Sequence, residues 1–451
     1  MGSANKQPQS WGRYPLVKNN QVVPVYWRGE LPDLGSMDQS ILPYGYGRSY
    51  GDSCLNENGI SIDTSHLKNF ISFDTEKGII RCEAGVSLAD VLQVAVPRGW
   101  FLPVSPGTKF VSVGGAIAND VHGKNHHAAG TFGCHVTKFE LVRSSGEHLI
   151  CSPEQNSELF RATIGGLGLT GVILWAEFRL RKIMNPFIDM DSIRFESLDE
   201  FFELSAASDK DYDYTVSWVD LLIGGDKLCR GKFSRGNHNQ DPDLAKKYKP
   251  KKLPLAVPID FPSFALNTYT VKAFNEAYYH VQREKYVSKT VPYDPFFYPL
   301  DAIHNWNRIY GKRGFFQYQF VVPFENGREA MRKCIHHIQQ AGEGSFLTVL
   351  KQFGYIKSPG MLSFPRPGIT LALDFSNHGE RTRTFMNELD RIVEDNGGVL
   401  YPAKDARMSP ESFKKYYPQW QEFEQYIDPK FSSSFWRRVT QGTDSNIPTY
   451  I

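Results

Sequence analysis

The chain has 451 residues, enough for two or more domains with large cores. Lysine and arginine (51) nearly balance aspartate and glutamate (49), and the net charge of +2 removes the global basic field expected of a nucleic-acid binder. Six scattered cysteines without a C-x-x-C pair argue against a disulfide framework or zinc ribbon, and no apolar run is long enough to span a bilayer.

In chain order, Met1 to Gln9 is polar and lacks an apolar core, so no secretory signal is read and a cytoplasmic protein with reduced thiols is expected. A short apolar run, Ile41-Leu42-Pro43, then ends in Tyr44-Gly45-Tyr46-Gly47-Arg48-Ser49-Tyr50-Gly51-Asp52. Glycine weakens helix and strand alike. It also lets several backbone N–H groups face one point at close range, which makes this loop a candidate pyrophosphate cradle. No Gly-Lys-Ser/Thr follows, so it is not a Walker A loop. Ser53 to Ser61 is too polar and broken for the helix of a Rossmann fingerprint.

Strands are expected at Ile60-Ser61-Ile62, Gly78 to Cys82 and Val136 to Val142. Ser87 to Val96 reads as a helix: Ser87 caps it, Asp90 lies in its first turn, Leu88, Val91, Leu92 and Ala95 form its apolar stripe, and Pro97 stops it. Two more glycine loops fall in this half, Ser105 through Ala116 and Gly165-Gly166-Leu167-Gly168-Leu169-Thr170-Gly171. One long ligand lying across all three loops accounts for them together.

Residues 184 to 398 read as α+β, an antiparallel sheet with helices on one face. Strand-like runs are Tyr214 to Trp218, Phe315 to Val322, Phe346 to Leu350 and Ile369 to Phe375, with helices at Gly327 to Gln340 and Glu380 to Asn396. Between them, Gln240 to Pro262 is a long loop in which Lys246, Lys247, Lys249, Lys251 and Lys252 precede Leu253-Pro254-Leu255-Ala256-Val257-Pro258. Such a loop suits anionic headgroups and shallow acyl chains, or is simply a solvated charged surface.

The densest polar cluster is His122-Gly123-Lys124-Asn125-His126-His127, with His135 downstream. The His122-x3-His126 spacing fits two imidazoles on one helix face. The Glu of H-E-x-x-H is missing, however, and Gly123 and Asn125 are poor helix formers, so no metal is expected. A metal-dependent hydrolase is the reading from a different class. Otherwise the run is a set of satisfied polar residues in a tight loop, or the lining of a redox-cofactor ring.

The first glycine loop, the stretch Gly114-Gly115-Ala116-Ile117-Ala118-Asn119-Asp120-Val121-His122 through His127, and Gly165 to Gly171 resemble the PCMH-type FAD-binding domain of the vanillyl-alcohol-oxidase superfamily. Within it they resemble the decaprenylphosphoryl-β-D-ribose 2-oxidases, flavin subunits of an arabinose-donor epimerase. Trp11-Gly12-Arg13, Phe316 to Phe320, Leu362 to Pro365 and Tyr401-Pro402-Ala403-Lys404-Asp405 extend the likeness over nearly the whole chain.

The resemblance implies a two-domain fold: an FAD-binding domain over 1–183, an antiparallel-sheet substrate domain over 184–398, and a C-terminal segment, 399–451, returning to the first. It implies that Pro43 to Ser53 (Gly45, Tyr46, Gly47, Arg48, Ser49, Tyr50, Gly51, Asp52 and Ser53 among them) hold the FAD pyrophosphate. Gly107, Ser112, Gly114, Gly115, Asn119, His122, Ile173 and Tyr401 line the rest of the cofactor. Lys404 and His122 are the catalytic pair, and Trp218, Gln317, Gln319, Lys351 and Lys404 face the substrate.

The implied reaction is hydride transfer to FAD from the sugar 2-hydroxyl of a polyprenylphosphoryl ribose, the first half of an epimerisation in cell-wall polysaccharide synthesis. A separate NAD(P)H-dependent short-chain reductase would complete it, with peripheral contact at the inner membrane. An oxidase of a soluble alditol or hydroxy acid is the alternative. Two departures stand out. The first loop has no histidine, so FAD is expected to be noncovalent. Thr370 and Ala372 stand where close members carry Asn and Cys.

Overall fold

The computed structural model describes residues 7–225, 227–248, 255–262 and 264–441. Three strands, Gln21–Pro24, Ile41–Tyr44 and Ile60–Asp63, form a parallel sheet with the last in the middle. Beside it lies a five-stranded antiparallel sheet in the order Phe70–Asp74, Ile79–Glu83, Val172–Arg179, Val136–Val142, His148–Cys151. The helix expected after Ser87 runs Leu88–Ala95, and Ser87 and Asp90 close a capping box on it.

The second half is built on an eight-stranded antiparallel sheet. Its order is Tyr286–Pro292, Phe187–Phe195, Arg230–His238, Tyr214–Asp220, Thr348–Phe353, Gly368–Ser376, Phe315–Val322, Val399–Leu400. Strand alternation decides what each face carries. Phe316, Tyr318, Phe320, Leu371, Leu373 and Phe375 turn to one face. They pack against the helices Phe324–Ala341 and Glu380–Asp395 through Met331, Ile335, Ile338, Phe385 and Leu389, in the largest core of the molecule. The residues between them, Gln317, Gln319, Thr370, Ala372 and Asp374, face the other way, toward the glycine loops. Apolar burial on the helical side stabilises the sheet, and the opposite face is left for polar side chains.

The C-terminal helix Ser434–Gln441 returns to Asp52–Cys54 at the end of the first glycine loop, and Pro410–Tyr416 packs on that helix. Ile41 N–H donates to the Lys430 carbonyl at 2.8 Å, and Tyr50 N–H donates to the Ala403 carbonyl at 2.9 Å. The loop expected over Gln240 to Pro262 has some structure of its own. Pro242–Lys247 is a helical turn, and Leu255–Ala256 pairs in parallel with Ile303–His304. Lys249, Lys251, Lys252, Leu253 and Pro254 lie outside the described residues.

Candidate active site

The three glycine loops and the polar face of the large sheet enclose a cleft of about 390 Å³. Gly45, Tyr46, Gly47, Arg48, Ser49, Tyr50 and Ser53 line one end. Among the described residues, the N–H groups of Gly45 through Ser49 donate to nothing. Gly47 is buried and the other four residues are half-buried, positions in which amides without partners are uncommon. Five in succession at the end of a strand form the anion cradle that a pyrophosphate fills. Two of the glycines admit no side chain here without displacing a neighbour. Gly47 has φ +60°, and a Cβ on Gly45 would lie 2.6 Å from Ser112 Oγ.

The second loop supplies Gly107, Ser112, Gly114 and Gly115, all lining the cleft. Nothing lies within 4 Å of a Cβ built on Gly107. Ser112 caps the short helix Val113–Ala118 by accepting from the Gly115 N–H at 3.1 Å. Asn119, His122, Ile173 and Tyr401 follow along the cleft. Tyr401 O–H donates to the Asn119 carbonyl at 2.8 Å, and its ring stacks on Phe364 at 4.5 Å. Arg48 lies over the Trp11 ring at 4.2 Å, and burial lowers its pKa.

On the polar face of the large sheet Lys404, Gln317, Gln319, Lys351 and His122 meet, with Tyr50 of the first loop against them. Lys404 Nζ donates to Gln317 Oε1 and sits 4.2 Å from the centre of the Tyr50 ring. Lys351 Nζ donates to the Gly123 carbonyl at 2.6 Å and lies 3.0 Å from His122 Nδ1. The amide end of Gln319 is 3.0 Å from His122 Nε2. Burial pushes the Lys404 amine down to about 8, against the pull of the Asp374 charge. Burial, with Lys124 and Lys404 nearby, takes Lys351 well below the usual lysine value. His122 is held neutral by burial first, then by Lys351, His126 and Lys404. The group therefore offers, in Lys404, an amine that exchanges protons near physiological pH, beside loops that fit a dinucleotide.

The family described as FAD binding domain matches residues 34–152, which include the first two glycine loops and the histidine run. The chain is 39% identical over 417 residues to decaprenylphosphoryl-beta-D-ribose oxidase of Mycolicibacterium smegmatis, an alignment covering 89% of each chain. The chain belongs to this oxidase family. It is an FAD-dependent oxidoreductase. Shorter alignments link it to human Delta(24)-sterol reductase (34% identical, 26% of this chain and 22% of the relative) and to cytokinin dehydrogenase 10 of Oryza sativa subsp. japonica (30% identical, 40% and 35%).

Three expected site residues of this oxidase-family chain stand off the cleft. The Asp52 carboxylate is taken by Arg438, whose Nε and Nη2 donate to it at 2.9 and 2.7 Å, and the same Nη2 reaches Asp405 at 2.9 Å. A Cβ on Gly51 would overlap the Asp405 carbonyl, so Gly51 allows the C-terminal segment to approach rather than touching a ligand. Trp218 shares a sheet face with Val216, which lines the cleft, but lies beyond its end. Its Nε1–H donates to the Phe346 carbonyl at 3.0 Å and its ring packs edge-on against Tyr278.

In the histidine run, His127 donates to the Tyr212 carbonyl and His135 to the Ala129 carbonyl, both at 2.8 Å, and His126 Nδ1 accepts from the Gly354 N–H at 3.2 Å. Among the described residues no group of three or more His, Cys, Asp or Glu could hold a metal ion.

The sequence reading assigned no role to Lys124, Asp374 or the segment Pro299 to Trp306, part of which lines the cleft. Lys124 was visible within the histidine run. Asp374 was visible as the next residue after Thr370 and Ala372 in the alternation. The Pro299 segment carries no local signal, because its place depends on chain packing.

Proposed function

We propose that the chain oxidises the 2-hydroxyl of a polyprenylphosphoryl ribose to the 2-keto sugar lipid. The carrying observation is that the unpartnered amide run of Gly45 to Ser49 shares one cleft with Lys404, Lys351 and His122. The likeness to decaprenylphosphoryl-beta-D-ribose oxidase over 89% of both chains supports the substrate class.

Gly45 to Ser49 would hold the FAD pyrophosphate, with Gly107, Ser112 to Gly115, Asn119, Ile173 and Tyr401 along the remainder. Bound FAD supplies the acceptor for the hydride that leaves the sugar carbon. Lys404 takes the hydroxyl proton. Its lowered pKa makes a neutral amine accessible, and its N–H bond to Gln317 fixes the nitrogen. His122, neutral and bound on both ring nitrogens, orients rather than abstracts. Gln319, Lys351 and Lys124 face the sugar phosphate, and a bound anion would favour the charged form of both lysines.

Product handling and location belong to the same reading. A 2-keto product must be reduced on the opposite face to invert the centre, so a separate NAD(P)H-dependent short-chain reductase is the proposed partner. Exposed Leu255 pairs with the strand Ile303–His304 at the cleft, exposed Ile259 and Phe264 follow it in sequence, and Lys246 and Lys247 precede it. This surface suits peripheral membrane contact, and no helix among the described residues is long and apolar enough to cross a membrane. Co-sedimentation with anionic vesicles that is lost when the lipid is neutral is the expected result; equal binding to both counts against the contact.

The principal experiment is anaerobic mixing of the FAD-loaded protein with polyprenylphosphoryl ribose. Loss of the oxidised-flavin absorbance is expected. Bleaching by a soluble alditol, with none by the lipid sugar, refutes the substrate assignment.

A further inference from the structure

Asp374 is a carboxylate 1% exposed on the polar face of the large sheet. Among the described residues no Lys, Arg or His is in ion-pair contact with it. Burying a carboxylate in that way is costly unless its hydrogen bonds are made. It has two: Gln317 Nε2–H donates to Oδ1 at 2.8 Å, and Tyr310 O–H donates to Oδ2 at 3.2 Å. Its own N–H donates to Ser345 Oγ at 3.1 Å, which fixes the strand beneath it.

A primary amide has one donor end and one acceptor end. A carboxylate accepts only, so Asp374 takes the donor end of Gln317 and leaves Oε1 facing Lys404. Lys404 donates one N–H there, whether charged or neutral. The Tyr50 ring covers a second side of the amine. The remaining position on nitrogen, a hydrogen when charged and a lone pair when neutral, is then left for the cleft. We infer that Asp374 is a positioning residue for Lys404, acting through the amide of Gln317. This rests on the reading that Lys404 accepts the substrate proton.

The ionisable groups around the relay are Tyr50 from the first glycine loop, Tyr310 from the turn Trp306–Tyr310, Lys351 from the adjacent strand and His122 from the histidine run. Burial lowers the Lys351 amine and the His122 imidazole and keeps the tyrosine hydroxyls protonated; it also pushes the Asp374 carboxyl up to about 7, so Asp374 is the group whose charge acts on Lys404 once it is ionised above that pH.

The test is the rate of flavin reduction against pH in FAD-loaded Asp374→Asn. An asparagine lets Gln317 turn end for end and removes the negative charge. The limiting rate is expected to fall about tenfold, and the midpoint of the profile to move to lower pH, because an anion near an ammonium raises its pKa. FAD content is expected to be unchanged. An unchanged midpoint overturns the inference whatever happens to the rate, since a purely structural role lowers the rate alone. If Asp374→Asn does not fold, Gln317→Leu severs the relay with both charges in place. The same fall is expected, with a smaller shift in the same direction because the hydrogen bond to the charged amine is lost while the Asp374 charge remains, and an unmoved profile again refutes the relay. A Lys404→Ala enzyme that still reduces its flavin at full rate would instead remove the underlying reading, independently of Asp374.

Discussion

Replacing Lys404 by alanine is the sharpest probe of the cleft. Burial takes this amine from its ordinary value of 10.5 to about 8. At pH 7 that makes roughly a tenth of it neutral, against about 3 parts in 10⁴ for a solvated lysine, a gain of roughly 300-fold in available base. Removing a general base of this kind slows the step by about 10²–10⁴-fold, or about 3–5 kcal/mol in the barrier. Lys404 is separate from the amide run of Gly45 to Ser49, so FAD content is expected to stay at the unmodified level. In the unmodified enzyme the neutral amine is the active form, so the reduction rate rises with pH through about 8 and then levels off. Anaerobic stopped-flow absorbance measures both quantities. A Lys404→Ala enzyme within threefold of the unmodified rate, or a flat profile between about pH 6 and 9, refutes the assignment.

With no histidine in the first glycine loop, acid precipitation should release the yellow colour into the supernatant; colour on the pellet means a covalent link. Arg438→Met leaves the buried Asp52 and Asp405 carboxylates without their cation, and a loss of about 3–5 kcal/mol is expected in chemical denaturation. An unchanged denaturation midpoint contradicts this. Ala372 lines the cleft, so Ala372→Cys should acquire a thiol there that a maleimide labels. Mass spectrometry of the peptide spanning Gly368–Ser376 reads the adduct, and a substituted strand that stays unlabelled runs against the geometry.

The glycine loops were legible because glycine reports a local constraint: φ +60° at Gly47 and the tight approach of Gly45 to Ser112 admit no other residue without displacement. The sheet was legible through alternation, which places Gln317 and Gln319 on one face. The strand expected at Phe346 to Leu350 instead runs Thr348–Phe353, because the Phe346 carbonyl serves Trp218 before the ladder begins. Alternation gives the face of a side chain and says nothing of how far along the strand the cleft extends. Trp218 is on the expected face and lies past the end. Asp52 could not be assigned from its neighbours, because its partner is 386 residues away in sequence. Asp374 needed the pairing of Gly368–Ser376 with Phe315–Val322, which brings it opposite Gln317.

The Arg438 contact bears on when the cofactor can be loaded. A ribosome makes the pyrophosphate loop early and the arginine that braces it 386 residues later. Until then the nascent loop has its amides but not its brace, and the Lys404 segment that packs on it has not been made for most of that interval. Tight FAD capture therefore belongs after this helix has emerged, so a chain stalled before Arg438 should leave the ribosome colourless and catalytically inert.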